Sequence, residues 1–142
     1  MMEFNMKYSI IALLIILSSS LALAQDTTER FVIYSISTPF YGKEMVVEFG
    51  HDEIMDSPIC KSSDKEFPIK QSYAISRALD WAKKEFDSSK EWQVDSVNLK
   101  FISIESQHCL YIIELSPKNE MQSLNVGLLM NGKLIAPVTK QK

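Results

Sequence analysis

Glycine and histidine are scarce in this chain of 142 amino acids, with four and two copies. The glycines, Gly42, Gly50, Gly127 and Gly132, stand alone, so no glycine-rich loop exists to cradle a phosphate and no G-x-G-x-x-G or P-loop can be written. G-x-S-x-G and H-E-x-x-H are absent as well. Cationic runs are missing: Lys83-Lys84 is the sole basic doublet, Glu85 follows it, and the formal net charge is −3. Nothing here neutralises a row of phosphates, which argues against a nucleic-acid partner. Repeats and low-complexity segments are also lacking, and no apolar run reaches the roughly 20 residues of a membrane-spanning helix.

The longest apolar run, Ile10 to Leu17, follows Lys7 and precedes Ser18-Ser19-Ser20 and Ala22-Leu23-Ala24. A positive charge, a short apolar core and small residues at −3 and −1 predict a secretory signal peptide over residues 1–24, cleaved between Ala24 and Gln25. An uncleaved N-terminal anchor is the alternative. Glu3 spoils the positive start, so Met6 is an alternative initiator. Residues 25–142 then form one globular domain by size, with no stable membrane span after cleavage and an expected location in the periplasm or outside the cell.

Both cysteines, Cys60 and Cys109, follow the leader. Export carries them to an oxidising compartment where disulfides persist, and an even count predicts one bridge. It would close a loop of about 50 residues, worth roughly 4 kcal/mol in the chain-entropy model. Two separate thiols are the alternative.

One stretch organises the predicted fold. In residues 69–86, Ile75, Ala78, Leu79, Ala82 and Phe86 fall on one helical stripe, with Tyr73 and Trp81 at its edges. Strand patterns lie on both sides. Residues 30–37 and 44–50 alternate around Pro39-Phe40-Tyr41-Gly42-Lys43 and read as a hairpin. Residues 50–68 show no period and contain Cys60. From Trp92 onward the chain reads as sheet. Val97, Leu99 and Phe101 alternate, and Val94 is out of phase with them, which predicts a bulge near Asp95-Ser96. The segment from Cys109 to Leu115 is apolar on both faces, as in a strand covered on both sides. A strand from Leu124 to Met130 leads to the Asn131-Gly132 hairpin signal, and Leu134 to Val138 returns with Pro137 confining it to an edge. The predicted fold is α+β: a single helix packed on an antiparallel sheet of five or six strands, in the order β-β-α-β-β-β-β.

Chemistry-bearing residues are few. His51-Asp52-Glu53, with His108 as a fourth donor, is the best metal-ligand cluster, but its spacing matches no ligand pattern and both histidines sit in predicted turns. A cysteine nucleophile beside His108 is weaker than the disulfide. No catalytic constellation emerges, no cofactor is expected, and the chain reads as a non-enzyme. Phe40 and Tyr41 at the hairpin tip and the apolar back-face pair Leu110 and Ile112 are the candidate partner-binding residues. The first hairpin, the long loop, a second copy or a protein partner would have to cover that face.

The order helix, Val97-x-Leu99, Tyr111-x-Ile113-x-Leu115 and Leu128-Leu129-Met130-Asn131-Gly132 resembles the PepSY domain, in which a helix precedes a small antiparallel sheet. The likeness spans residues 69–135. The family's usual acidic residue and glycine between its first two strands are lacking. PepSY-like domains are exported or envelope modules thought to bind or restrain other proteins, often proteases, so the resemblance implies binding without catalysis. The cystatin fold is a geometric relative, but its inhibitory Q-x-V-x-G is absent. The expected function is an exported, non-catalytic binding or regulatory domain. The alternatives are an inhibitor of a secreted hydrolase and a small metal-binding domain built on His51, Asp52 and Glu53.

Overall fold

The computed structural model describes residues 30–140. The predicted signal peptide, its Ala24–Gln25 cleavage site and the alternative start at Met6 lie outside those residues. The chain opens with the hairpin β1 (Val32–Phe40) and β2 (Lys43–Gly50). Its turn is shorter than the predicted five-residue break. Only Tyr41 (φ 47°) and Gly42 (φ 75°) leave the strands, and two successive positive φ values match the right-handed strand twist that tight hairpins require. Pro39 and Phe40 stay in the ladder opposite Glu44 and Lys43. Proline is tolerated there because β1 is an edge strand and needs no outward donor.

After β2 the chain turns directly into a short helix, α1 (His51–Met55), with the His51 N–H donating to Phe31 O at 2.8 Å. The main helix, α2 (Gln71–Trp81), starts after Pro68 and ends in a π-turn over Ala82–Phe86, where the Asp87 N–H donates to Ala82 O at 2.9 Å. The buried stripe is Ala74, Ala78, Trp81 and Ala82: Ala78 and Ala82 lie on the predicted stripe, Ala74 joins it, and Trp81 stays at its edge. Leu79 and Phe86 pack alongside it. Three alanines let the helix approach closely, and the one large ring fills the space beside them. The i→i+5 spacing of the π-turn then brings Phe86 to 5.1 Å from the Trp81 ring.

Two antiparallel sheets follow from the remaining strands, correcting the expectation of one sheet and one helix. β3 (Trp92–Ser103), β4 (Gln107–Pro117), β5 (Leu124–Leu129) and β6 (Leu134–Ile135) form a four-stranded sheet in sequence order. β7 (Val138–Thr139) instead pairs with β2, giving a three-stranded sheet β1-β2-β7. The predicted final strand is therefore split at Ala136-Pro137, where proline cannot continue the ladder and the chain crosses from one sheet to the other. The β3 bulge falls between Val94 and Ser96, where the alternation breaks.

Two apolar clusters flank β4. On its front face Cys109, Tyr111, Ile113 and Leu115 pack with α2, Trp92 and, from the hairpin's turn end, Phe40 and Met45. On its back face Leu110 and Ile112 pack with Leu129, Ile135, Val47, Phe49 and Ile54. The hairpin thus covers the back of the larger sheet. Gly127 makes that approach possible: a Cβ there would lie 2.6 Å from Phe49 Cε1 and closer still to Cζ. The Asn125 amide adds a hydrogen bond to Thr38 Oγ1 across the same junction.

Candidate functional site

The sequence-predicted residues disperse in space. Cys60 and Cys109 are joined as a disulfide with Cα atoms 5.7 Å apart. Ile59 bridges to His108 and the Cys60 N–H donates to Gln107 O at 3.0 Å, so the long connection is stitched to the start of β4 beside the bond. An oxidised Cys109 offers no thiolate for nucleophilic chemistry. Leu110 and Ile112 are 1% and 5% exposed beneath the hairpin and α1, so of the covers open to this face the first hairpin is the one present, and these two residues are core rather than a free binding surface. Phe40, at 8%, is a core residue packed 5.8 Å from Phe86 and 6.2 Å from Trp92. Tyr41 alone of the four candidates is exposed, at 47%. It is also anchored, its N–H donating to Gln122 Oε1 at 2.7 Å and its hydroxyl accepting from Lys90 Nζ at 3.0 Å.

The metal-binding alternative finds no converging donors. His51 Nδ1 lies 3.1 Å from Asp52 Oδ1, Glu53 is 3.6 Å from Lys133, and His108 sits in β4 rather than in a turn. Among the described residues no three His, Cys, Asp or Glu side chains are grouped to hold a metal ion.

His108 is only 2% exposed, and its surroundings define its tautomer. Ser57 Oγ donates its one proton to Ile54 O at 2.6 Å, so it can only accept from Nδ1, 3.4 Å away. In the neutral ring that carries its proton on Nδ1, Nε2 accepts from the Ser106 hydroxyl at 2.7 Å. The chain Ser106, His108, Ser57, Ile54 satisfies a buried imidazole and ties α1 to the β3–β4 turn. Its polarity matches that of a hydroxyl nucleophile and its base, but the grooves described next do not reach it.

A groove of about 390 Å³ lies between residues 65–71, which lead into α2, and the front face of β3 and β4. Val97, Leu99 and Tyr111 form its floor, Phe67 and Ile69 its apolar wall, and Lys65, Glu66, Lys70 and Gln71 its polar rim. Phe67 is braced by Phe101, ring centroids 6.1 Å apart. The Tyr111 hydroxyl donates to Ile69 O at 2.8 Å and closes the inner end. Burial raises its pKa above the usual 10.0, so it remains a neutral donor at physiological pH. Among the described residues β3 pairs only with β4, so its far edge carries no second strand. A shallower polar depression of about 270 Å³ lies toward the start of β3, lined by Gln93, Asp95, Ser116 and Glu120.

Sequence reasoning missed this groove. Phe67 and Ile69 flank Pro68 in an otherwise polar, aperiodic stretch, and two large apolar residues there were the available signal. Searches for related proteins found no matching family model, no matching curated protein and no matching solved structure.

Proposed function

We propose that the chain is an exported, non-catalytic binding domain that holds a protein partner at the groove beside β3. The observation that carries this reading is the pairing of an apolar-floored, cation-rimmed groove with an edge strand that has no second neighbour among the described residues. Such a combination suits recognition of an extended partner. The Cys60–Cys109 bond supports an oxidising compartment, in keeping with the secretory leader read over residues 1–24.

The test uses the full chain expressed in its own cells with a photo-crosslinking side chain at Lys70 on the groove rim, or at exposed Lys83 on the π-turn. Irradiation is expected to give an adduct of discrete mass from position 70 and none from position 83. No adduct from position 70 overturns the reading. The exported protein is expected to begin at Gln25 on N-terminal sequencing. A product retaining Met1 or Met6 would contradict cleavage.

A further inference from the structure

Of the four edge strands, the two long ones, β1 and β3, differ in how their open edges are guarded. β1 carries Pro39 and a register irregularity between Val32 and Tyr34, two devices that discourage an added strand. β3 is longer, twelve residues, and its only irregularity is the bulge between Val94 and Ser96. From Ser96 to Phe101 it has neither proline nor bulge. Its one lysine there, Lys100, is turned toward the hairpin, with Nζ 5.2 Å from the Tyr34 ring centroid.

Beside this unguarded run stands the groove, whose floor includes Val97 and Leu99, the front-facing residues of the same strand. A row of backbone donors and acceptors is complemented best by another extended backbone, and alternate side chains of such a strand point to the same face. Resting on the binding reading above, we infer that β3 receives an extended polypeptide segment as an added strand, with one apolar side chain in the groove and an acidic side chain at its rim. The acidic preference follows from charge. Lys65 and Lys70 make no ion pair among the described residues, and they outnumber Glu66 on the rim. The first turn of α2, which begins beside them, has no acidic residue and no side-chain cap, so its N–H groups favour the same sign.

A second copy of this chain is a poorer occupant. Pairing β3 with β3 about a two-fold axis would bring residues 65–71 against their twin and oppose Lys65 and Lys70 to like charges.

The probes are capped nonapeptides that alternate threonine with leucine or phenylalanine and carry either one aspartate or one lysine, titrated into the full disulfide-bonded protein. Aspartate peptides are expected to bind saturably, at least tenfold more tightly than lysine peptides. They should slow amide exchange at alternate residues between Ser96 and Phe101. Methylating alternate backbone nitrogens of the peptide should abolish binding in one of the two registers. Lys65→Glu with Lys70→Glu should reverse the aspartate preference while leaving the unfolding midpoint unchanged. Four results would overturn the inference: no saturable binding by any peptide, binding without protection of β3, indifference to backbone methylation, or concentration-dependent β3 protection without peptide, which would assign the edge to a second copy. An adduct from position 70 with unprotected β3 would leave the binding reading standing and remove strand addition alone.

Discussion

The two faces of the four-stranded sheet both present apolar side chains of β4 and end up differently. The back face is closed by the chain itself: Phe49 rests on Gly127, Ile54 of α1 packs with Leu110 and Ile112, and Asn125 bonds to Thr38. The front face is closed over β4 by α2, but at β3 the cover narrows to Phe67 and Ile69, leaving the groove. Apolar content therefore does not identify a binding face. The geometry of the covering segment does, because a layer built on a glycine leaves no room and a layer hung from a proline-broken connection does.

The largest test of this contrast is at the junction of the back face. Gly127→Val should cost about 3 kcal/mol, the upper end of the usual overpacking range, since the new side chain must displace a fully buried phenyl ring. Phe49→Ala should cost about 3–5 kcal/mol through the cavity it leaves. Urea unfolding measures both, and losses under 1 kcal/mol would mean the hairpin is not seated as described. Next comes the disulfide. Cys60→Ala with Cys109→Ala should cost about 2–5 kcal/mol and raise amide exchange across residues 57–69, the connection that ends in the groove wall at Phe67 and Ile69. Unchanged exchange there would show that the bond does not hold the front cover in place.

A smaller effect is expected at Tyr111. Losing its hydrogen bond to Ile69 in Tyr111→Phe should cost about 1 kcal/mol at neutral pH. Because its pKa is raised in the folded state, its contribution is fully present below the unfolded value near 10.0 and is lost as pH rises through the folded value. The wild-type protein should thus lose stability above about pH 10, and the variant should lack that component. Parallel alkaline profiles would contradict the assignment. The smallest effect is at acid pH. Ser89 lowers the pKa of Asp87 by hydrogen bonding and Ser37 does the same for Glu44, so both contributions are present above the usual carboxylate range and lost as pH falls through the lowered values. Ser89→Ala should reduce the acid sensitivity of the unfolding midpoint slightly. An increase would reverse the sign.

Local pattern made much of the molecule legible. The broken alternation at Val94 located the bulge, the doubly apolar segment from Cys109 to Leu115 identified the covered central strand, and the cysteine pair agreed with the bridge. What stayed hidden depends on contacts distant in sequence. No local signal says that Pro137 divides one strand between two sheets, or that Phe49 sits on Gly127. The π-turn that ends the helix has no counterpart in a 3.6-residue period, yet Phe86 still packs on the core, beside Trp81. His108 was read as a turn residue from its polar neighbours, whereas Ser57 and Ser106 satisfy it inside the protein. The groove was illegible because its wall comes from a segment with no period at all.

Amide exchange of the free protein, followed residue by residue along β3, addresses the central contrast directly. If the front face ends at an open edge, alternate amides between Ser96 and Phe101 exchange rapidly while those bonded to β4, and the amides of β5, stay protected. Slow exchange at every amide of that run would mean the edge is already occupied, and the difference between the two faces would vanish.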